Sequence, residues 1–159
     1  MSDIRLATIK PVDEESSGQR VTAIFADIKQ TKNIDFVPVF WRVIASNPTL
    51  LEVVWTSLKN LMHPDAVGRA ARLDARTREI IALAVSATNG CAYCINSHTA
   101  ALRTLGVDHE TLGEVMAVVG LFNMTNSLAN GYQVAPDVRP PLDDVPTEES
   151  RSATEARFT

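Results

Sequence analysis

Cys91, Cys94 and His98 stand in the run Cys-Ala-Tyr-Cys-Ile-Asn-Ser-His, directly after Thr88-Asn89-Gly90. They include the only two cysteines in 159 residues. The types and spacing read as a dithiol with its own base. Thr88-Asn89-Gly90 breaks one helical pattern and opens another. From Cys91 the apolar or small positions are Cys91, Cys94, Ile95, His98, Ala101, Leu102 and Leu105, the spacing of one helix face. Gly106 then suits a helix C-terminus. Cys91 is therefore expected in the first turn, with Cys94 one turn on and His98 one turn beyond, all on one side. Backbone N–H groups at a helix start favour negative charge and lower a thiol pKa. An imidazole four residues after Cys94 can take or share its proton. Cysteines at i and i+3 can also bridge once the first turn adjusts. The chemistry expected is a cycle between dithiol and disulfide.

Other chemistries compete for the same residues. Two helical cysteines can be small buried hydrophobes. Cys91, Cys94 and His98 supply three zinc ligands, with Glu79 as a conceivable fourth, but no second CxxC or histidine pair completes a structural site. Haem attachment needs histidine directly after the second cysteine, where Ile95 stands. A thioredoxin-type site would follow a strand, whereas the preceding segment reads as helix. Asp74 is a plausible N-cap for that helix, which runs on to Ala87 with Ile80, Leu83, Ala84 and Ala87 as its apolar stripe. Glu79 borders the stripe. It is either an exposed carboxylate paired with Arg76 or Arg72, or the third group that orients and polarises His98.

Taken together, Glu79, eleven residues, Cys91-Ala-Tyr-Cys94, three residues and His98 resemble the signature of the alkylhydroperoxidase D-like, or carboxymuconolactone decarboxylase-like, superfamily. The likeness extends over about residues 33 to 132. It takes in Phe36-Val37-Pro38-Val39-Phe40-Trp41, Ile44-Ala45-Ser46-Asn47-Pro48 and Leu73-Asp74-Ala75-Arg76-Thr77-Arg78-Glu79. The resemblance implies an all-α single-domain bundle of about six helices, a homo-oligomer (trimer or hexamer), and a peroxidase that reduces hydroperoxides through Cys91 and Cys94. It implies catalytic roles for Glu79, Cys91, Cys94 and His98, with no cofactor and no metal. It also implies an external dithiol reductant, lipoyl or thioredoxin-like. The best-known alkylhydroperoxidases carry a histidine before the second cysteine; here it is Tyr93, whose phenol can donate a hydrogen bond. The alternatives are a dithiol–disulfide oxidoreductase serving a partner protein, a lactone decarboxylase, and a zinc-binding or structural helical module.

The remaining sequence sets bounds. The length suits one domain with a real core. A net charge of −4 and a pI near 5.3 offer no basic stripe for nucleic acid. No apolar run approaches the ~20 residues that span a membrane, and Met1 to Pro11 has no secretory core. A lone CxxC fits a reducing cytoplasm. Residues 1–16 read as an extended lead-in holding Asp13-Glu14-Glu15. Residues 17–134 read as the helical domain, and 135–159 as a proline-rich tail or arm. Within the domain, helices are expected from Ser17 to about Asn33, over 36–46 and over 48–62, with Pro48 in a first turn. Leu50, Leu51, Val54, Leu58 and Leu61 make the stripe of the last of these. His63 is expected at the surface beyond its end, and His109 is expected to be exposed. Asp108 caps a long last helix, with Val107 and Leu112 spaced as a hydrophobic staple. That helix carries Val115, Met116, Val119, Phe122 and Met124 and reads as a core element, a subunit interface, or both. Asn123, Asn126 and Asn130 are its unusual polar residues.

Overall fold

In the computed structural model, which describes residues 7–140, local capping chemistry divides the chain into six α-helices and one 3-10 turn, with no strand among the described residues. The helices are α1 (Gln19–Lys32), α2 (Val39–Ile44), α3 (Pro48–Met62), α4 (Ala75–Thr88), α5 (Ala92–Thr104) and α6 (His109–Gly131). The architecture is all-α. Residues 1–6 of the expected lead-in and residues 141–159 of the expected tail, with Pro141 and Pro146, lie outside the described residues.

Side chains and prolines set most of the boundaries. Asn47 caps α3 by accepting the Leu50 N–H at 3.1 Å, with Pro48 in the first turn. Asp74 caps α4 through the Thr77 N–H at 2.7 Å. Asp108 accepts the Thr111 N–H at 2.7 Å at the start of α6, and each cap satisfies a donor the helix leaves open. The second helix is shorter than the expected 36–46. Pro38 stands at its N-cap, and the residue before a proline is pushed out of helical geometry, which keeps Val37 and Phe36 outside. Asn33 ends α1 with a φ of 51°.

The described residues divide into two units, the first ending at Val119 and the second beginning at Gly120. The first holds two apolar clusters. Val21, Phe25 and Ile28 of α1 pack with Val37, Trp41, Ala45, Leu51 and Trp55. Leu83 of α4 packs with Leu102 of α5, Val107 and Leu112, with Ile80, Ile95 and Val115 against them. Val107 and Leu112 thus meet at the start of α6 as a staple. On α3 the buried line is Leu51 and Trp55, flanked by Val54 and Leu58, while Leu50 and Leu61 are exposed. The lead-in is pinned to the first cluster. The Val12 N–H donates to the Arg42 carbonyl, and the Arg42 Nε–H donates back to the Val12 carbonyl, both at 2.9 Å. The Glu14 carboxylate accepts from the Val37 N–H and from Lys29 Nζ, each at 3.0 Å.

The second unit contains the last part of α6 and, to residue 140, a turn and irregular chain. Leu121, Phe122, Met124, Leu128 and Tyr132 are exposed there. No described helix is long and apolar enough to cross a membrane.

Candidate active site

The loop between α4 and α5 sets the site. Gly90 takes a φ of 68°, a left-handed conformation that costs glycine little, and the Cys91 N–H donates to the Ser86 carbonyl at 3.0 Å. The chain then enters α5 at Cys91, which is the N-cap of that helix rather than a first-turn residue. Its Sγ accepts the Cys94 N–H at 3.3 Å, the place a Ser or Asp oxygen takes in other caps. Cys91 and Cys94 are joined as a disulfide with Cα atoms 5.3 Å apart. Cys91 sulfur therefore sits on a backbone donor and the positive end of a helix dipole, both of which favour its thiolate when the bridge opens.

His98 lies one turn after Cys94 on α5. Helices α4 and α5 pack against each other, which brings together two residues nineteen positions apart. His98 Nδ1 meets Glu79 Oε2 at 2.7 Å. Their side chains are 25% and 16% exposed, so the pair is largely removed from water. Glu79 thus pairs with His98, not with Arg72 or Arg76. A carboxylate on Nδ1 fixes the proton there and leaves Nε2 as the basic nitrogen. The structure pairs Glu79 with His98 between α4 and α5 and joins Cys91 to Cys94 at the start of α5, one turn before His98.

Tyr93 lies between the cysteines and is exposed. Its ring faces that of Phe40 with centroids 6.0 Å apart. Phe40 contacts Trp41 edge-on at 5.1 Å, and Trp41 contacts Trp55 at 5.2 Å. A line of aromatic rings therefore links the CxxC turn to the first apolar cluster. Phe40 was legible only as part of an apolar run, because nothing in the sequence pairs it with Tyr93.

Two further residues reach the site without a sequence signal. A cavity of about 420 Å³ is lined by Glu79 and His98 together with Lys32 at the end of α1 and His63 at the end of α3. Ile34, Leu58, Met62 and Leu105 supply apolar wall. His63 does cap the end of α3, but it is half-buried rather than a surface residue, because the α3 terminus runs into the space beside α4. Burial pushes its pKa below the ordinary histidine value, and Lys32 adds to that, while Glu79 opposes it. Burial likewise lowers the Lys32 pKa, and Glu79 pulls it back. His109 is exposed, as expected from sequence, and its Nδ1 meets Arg103 Nη2 at 2.9 Å. Among the described residues, no group of three or more His, Cys, Asp or Glu side chains is gathered as for a metal ion.

Comparison with known proteins adds three relatives. The model of the carboxymuconolactone decarboxylase family matches residues 59–137. The crystal structure of the alkylhydroperoxidase AhpD core from Rhodospirillum rubrum superposes with a TM-score of 0.74 at 42% identity, covering 84% of this chain and 96% of that one. An alkyl hydroperoxide reductase AhpD from Bradyrhizobium diazoefficiens is 31% identical over 108 residues, 67% of this chain and 54% of that protein. An (R)-2-haloacid dehalogenase from Pseudomonas putida is 32% identical over 111 residues, 70% of this chain and 35% of that protein. The chain thus spans about a third to a half of the length of these two curated relatives.

Proposed function

The chain belongs to the carboxymuconolactone decarboxylase family, on its AhpD-like side, and from that premise we propose that it is a thiol-dependent peroxidase. The observation that carries this reading is the placing of a CxxC disulfide one helical turn from a shielded carboxylate–imidazole pair. In the proposed cycle, Glu79 holds the His98 Nδ1–H, and His98 Nε2 takes the proton of Cys94. The Cys94 thiolate attacks the terminal oxygen of a hydroperoxide. The O–O bond breaks, a sulfenic acid forms on Cys94, and the alkoxide leaves with a proton as an alcohol. The Cys91 thiol then condenses with the sulfenic acid, releasing water and forming the disulfide.

An external dithiol closes the cycle by exchange. Exchange is faster when the departing sulfur is the more acidic one. The N-cap hydrogen bond and helix dipole stabilise a departing thiolate on Cys91. The reductant therefore attacks Cys94 and expels the Cys91 thiolate, and its second thiol completes the release. A lipoyl or thioredoxin-like dithiol supplies the two electrons. The exposed Leu121, Phe122, Met124 and Leu128 support a homo-oligomer.

The test is consumption of an alkyl hydroperoxide with excess dihydrolipoamide, beside the Cys91→Ser and Cys94→Ser variants. Turnover is expected to vanish in both. A sulfenic acid trap is expected to label Cys91→Ser on Cys94 and to leave Cys94→Ser unlabelled. Full-rate labelling of Cys91 in Cys94→Ser would reverse the roles of the two sulfurs. Fast exchange with a protein disulfide, without peroxide consumption, would replace the peroxidase by an oxidoreductase that serves a partner protein.

A further inference from the structure

The cavity beside the Glu79–His98 pair has a chemistry that the thiol cycle does not use. Lys32 is half-buried in its wall. Among the described residues its ammonium has no hydrogen bond or ion pair. Glu79 acts on it electrostatically, but the Glu79 Oε2 is engaged by His98. By contrast, the other lysines of α1 and α3 are paired. Lys29 bonds to Glu14 and Lys59 to Asp27. A half-buried cation without a partner is costly to keep, so a residue of this kind marks a place where an anion can sit.

We propose that this cavity binds an alkyl carboxylate, with the carboxylate on Lys32 and His63 and the carbon chain along Ile34, Leu58, Met62 and Leu105. Four features select that class. The volume of about 420 Å³ lies in the range of small-molecule sites. Ile34, Leu58, Met62 and Leu105 give the lining four apolar side chains, which suits a hydrocarbon chain. Lys32 offers one positive charge, and His63, kept neutral near pH 7 by burial and by Lys32, offers one N–H. That pair matches a monoanion. Glu79 in the same wall repels a second negative charge and so disfavours a phosphate dianion.

His98 lines the same cavity. Neither cysteine is part of the lining, so in the peroxidase reading a substrate held here, a hydroperoxide of an organic acid, extends its peroxide end past His98 to Cys94, and Lys32 is a specificity residue. That half of the proposal rests on the reading above; the binding half does not.

The experiment has two arms. In the first, calorimetry measures octanoate and its uncharged counterpart octanamide binding to the full-length protein at pH 7. Octanoate is expected to bind tighter than octanamide, and Lys32→Met to weaken octanoate about tenfold or more while leaving octanamide unchanged. His63→Gln, which keeps an N–H, is expected to weaken octanoate by less than Lys32→Met. Equal binding of the acid and the amide, insensitivity to Lys32→Met, or no octanoate binding at all would overturn the proposal. Helical circular dichroism of the variants separates a lost site from a lost fold, and His63→Gln provides a second test should Lys32→Met fail to fold.

The second arm compares a straight-chain hydroperoxide acid with its methyl ester as substrates. In Lys32→Met the ratio of the KM of the acid to that of the ester is expected to rise about tenfold. Lys32-dependent octanoate binding without any peroxide turnover would leave the carboxylate site standing and remove the peroxidase reading. Turnover that treats acid and ester alike, in a protein that does not distinguish octanoate from octanamide, would do the reverse.

Discussion

The α1–α3 region and the α4–α5 region are built to different rules. The first is held by aromatic rings, with Phe25, Trp41 and Trp55 in one buried cluster. The charge beside it is fully engaged. Asp27 accepts from Trp55 Nε1 at 2.7 Å and from Lys59 Nζ at 2.7 and 3.0 Å. The second has a smaller aliphatic cluster, Leu83, Leu102, Val107 and Leu112, with no aromatic residue. Its polar groups are arranged around a disulfide and a cavity, and into the lining of that cavity the end of α1 contributes Lys32, a cation with no described partner. The contrast teaches a division of labour. Dense packing in one half fixes the helices, and the other half can then hold acids, bases and reactive sulfur in arrangements that cost stability.

That division is broken most directly by Trp55→Ala. Trp55 is 3% exposed, and its loss removes both a large buried side chain and a hydrogen bond to Asp27. Truncating a buried Trp costs about 3–5 kcal/mol. Urea denaturation should show a loss of that size. Below the unfolding transition, the alkylation rate of the reduced cysteines should stay near that of the parent. A large change in thiol reactivity in the folded variant would mean that the aromatic line through Trp41, Phe40 and Tyr93 tunes the site as well as supporting it.

Glu79→Gln is the complementary change. It keeps the shape and an acceptor for His98 Nδ1 but removes the charge that stabilises the imidazolium. Peroxide turnover is expected to fall on the order of 10²-fold, the lower part of the range for general acid–base catalysis. The melting temperature should move by no more than a few degrees. Stopped-flow oxidation and thermal denaturation of one preparation check both statements. A variant that melts early but reacts at the parent rate would assign Glu79 to structure and leave His98 unassisted.

Much of this arrangement was legible in the residues. The CxxC and His98 fall on one helix face by spacing alone. Asp74, Asn47 and Asp108 have the side chains that cap helices. The spacing of Val107 and Leu112 also named the start of α6. What spacing could not supply is contact between elements. Glu79 and His98 meet because α4 and α5 pack together, and an i, i+4 rule applies only within one helix. Cys91 was misplaced by one position because sulfur seldom serves as an N-cap, so the pattern read it as helix. His63 was read as a surface residue because its sequence neighbours, Met62 and Pro64, say only that a helix ends. That Lys32 stands across from it depends on how α1 and α3 terminate side by side.

Asp27→Asn probes the paired side of the comparison. Burial raises the Asp27 pKa, but hydrogen bonds from Lys59 and Trp55 outweigh it and hold the carboxyl below the ordinary aspartate value. A carboxyl with a depressed folded pKa contributes stability that is present above the unfolded value. That stability is lost as pH falls through the folded one, here below about pH 4. The variant is expected to melt slightly lower at neutral pH and to lose less stability on acidification. Parallel acid titrations monitored by circular dichroism would show this. Identical acid midpoints for parent and variant would place the acid sensitivity elsewhere.

His63 reports on the unpaired side, with the opposite charge type. It faces Lys32 from α1, Lys59 on its own helix and Arg78 and Glu79 from α4, and it shares the cavity with His98 of α5. Burial and the cations lower its pKa in the folded protein; Glu79 offsets only part. Below about pH 6.5 the unfolded chain binds a proton that the folded protein refuses, so stability from this residue rises with pH across the window under that value. His63→Gln should flatten the slope of melting temperature against pH there. Lys32→Met should reduce the slope without abolishing it, because burial remains. A carboxylate bound on Lys32 should act in the same direction by neutralising the nearest cation. If the slope is the same in the parent and in His63→Gln, the imidazole is not held neutral against the cavity wall. The unpartnered charge of Lys32 would then lack the neighbour that makes it a carboxylate site.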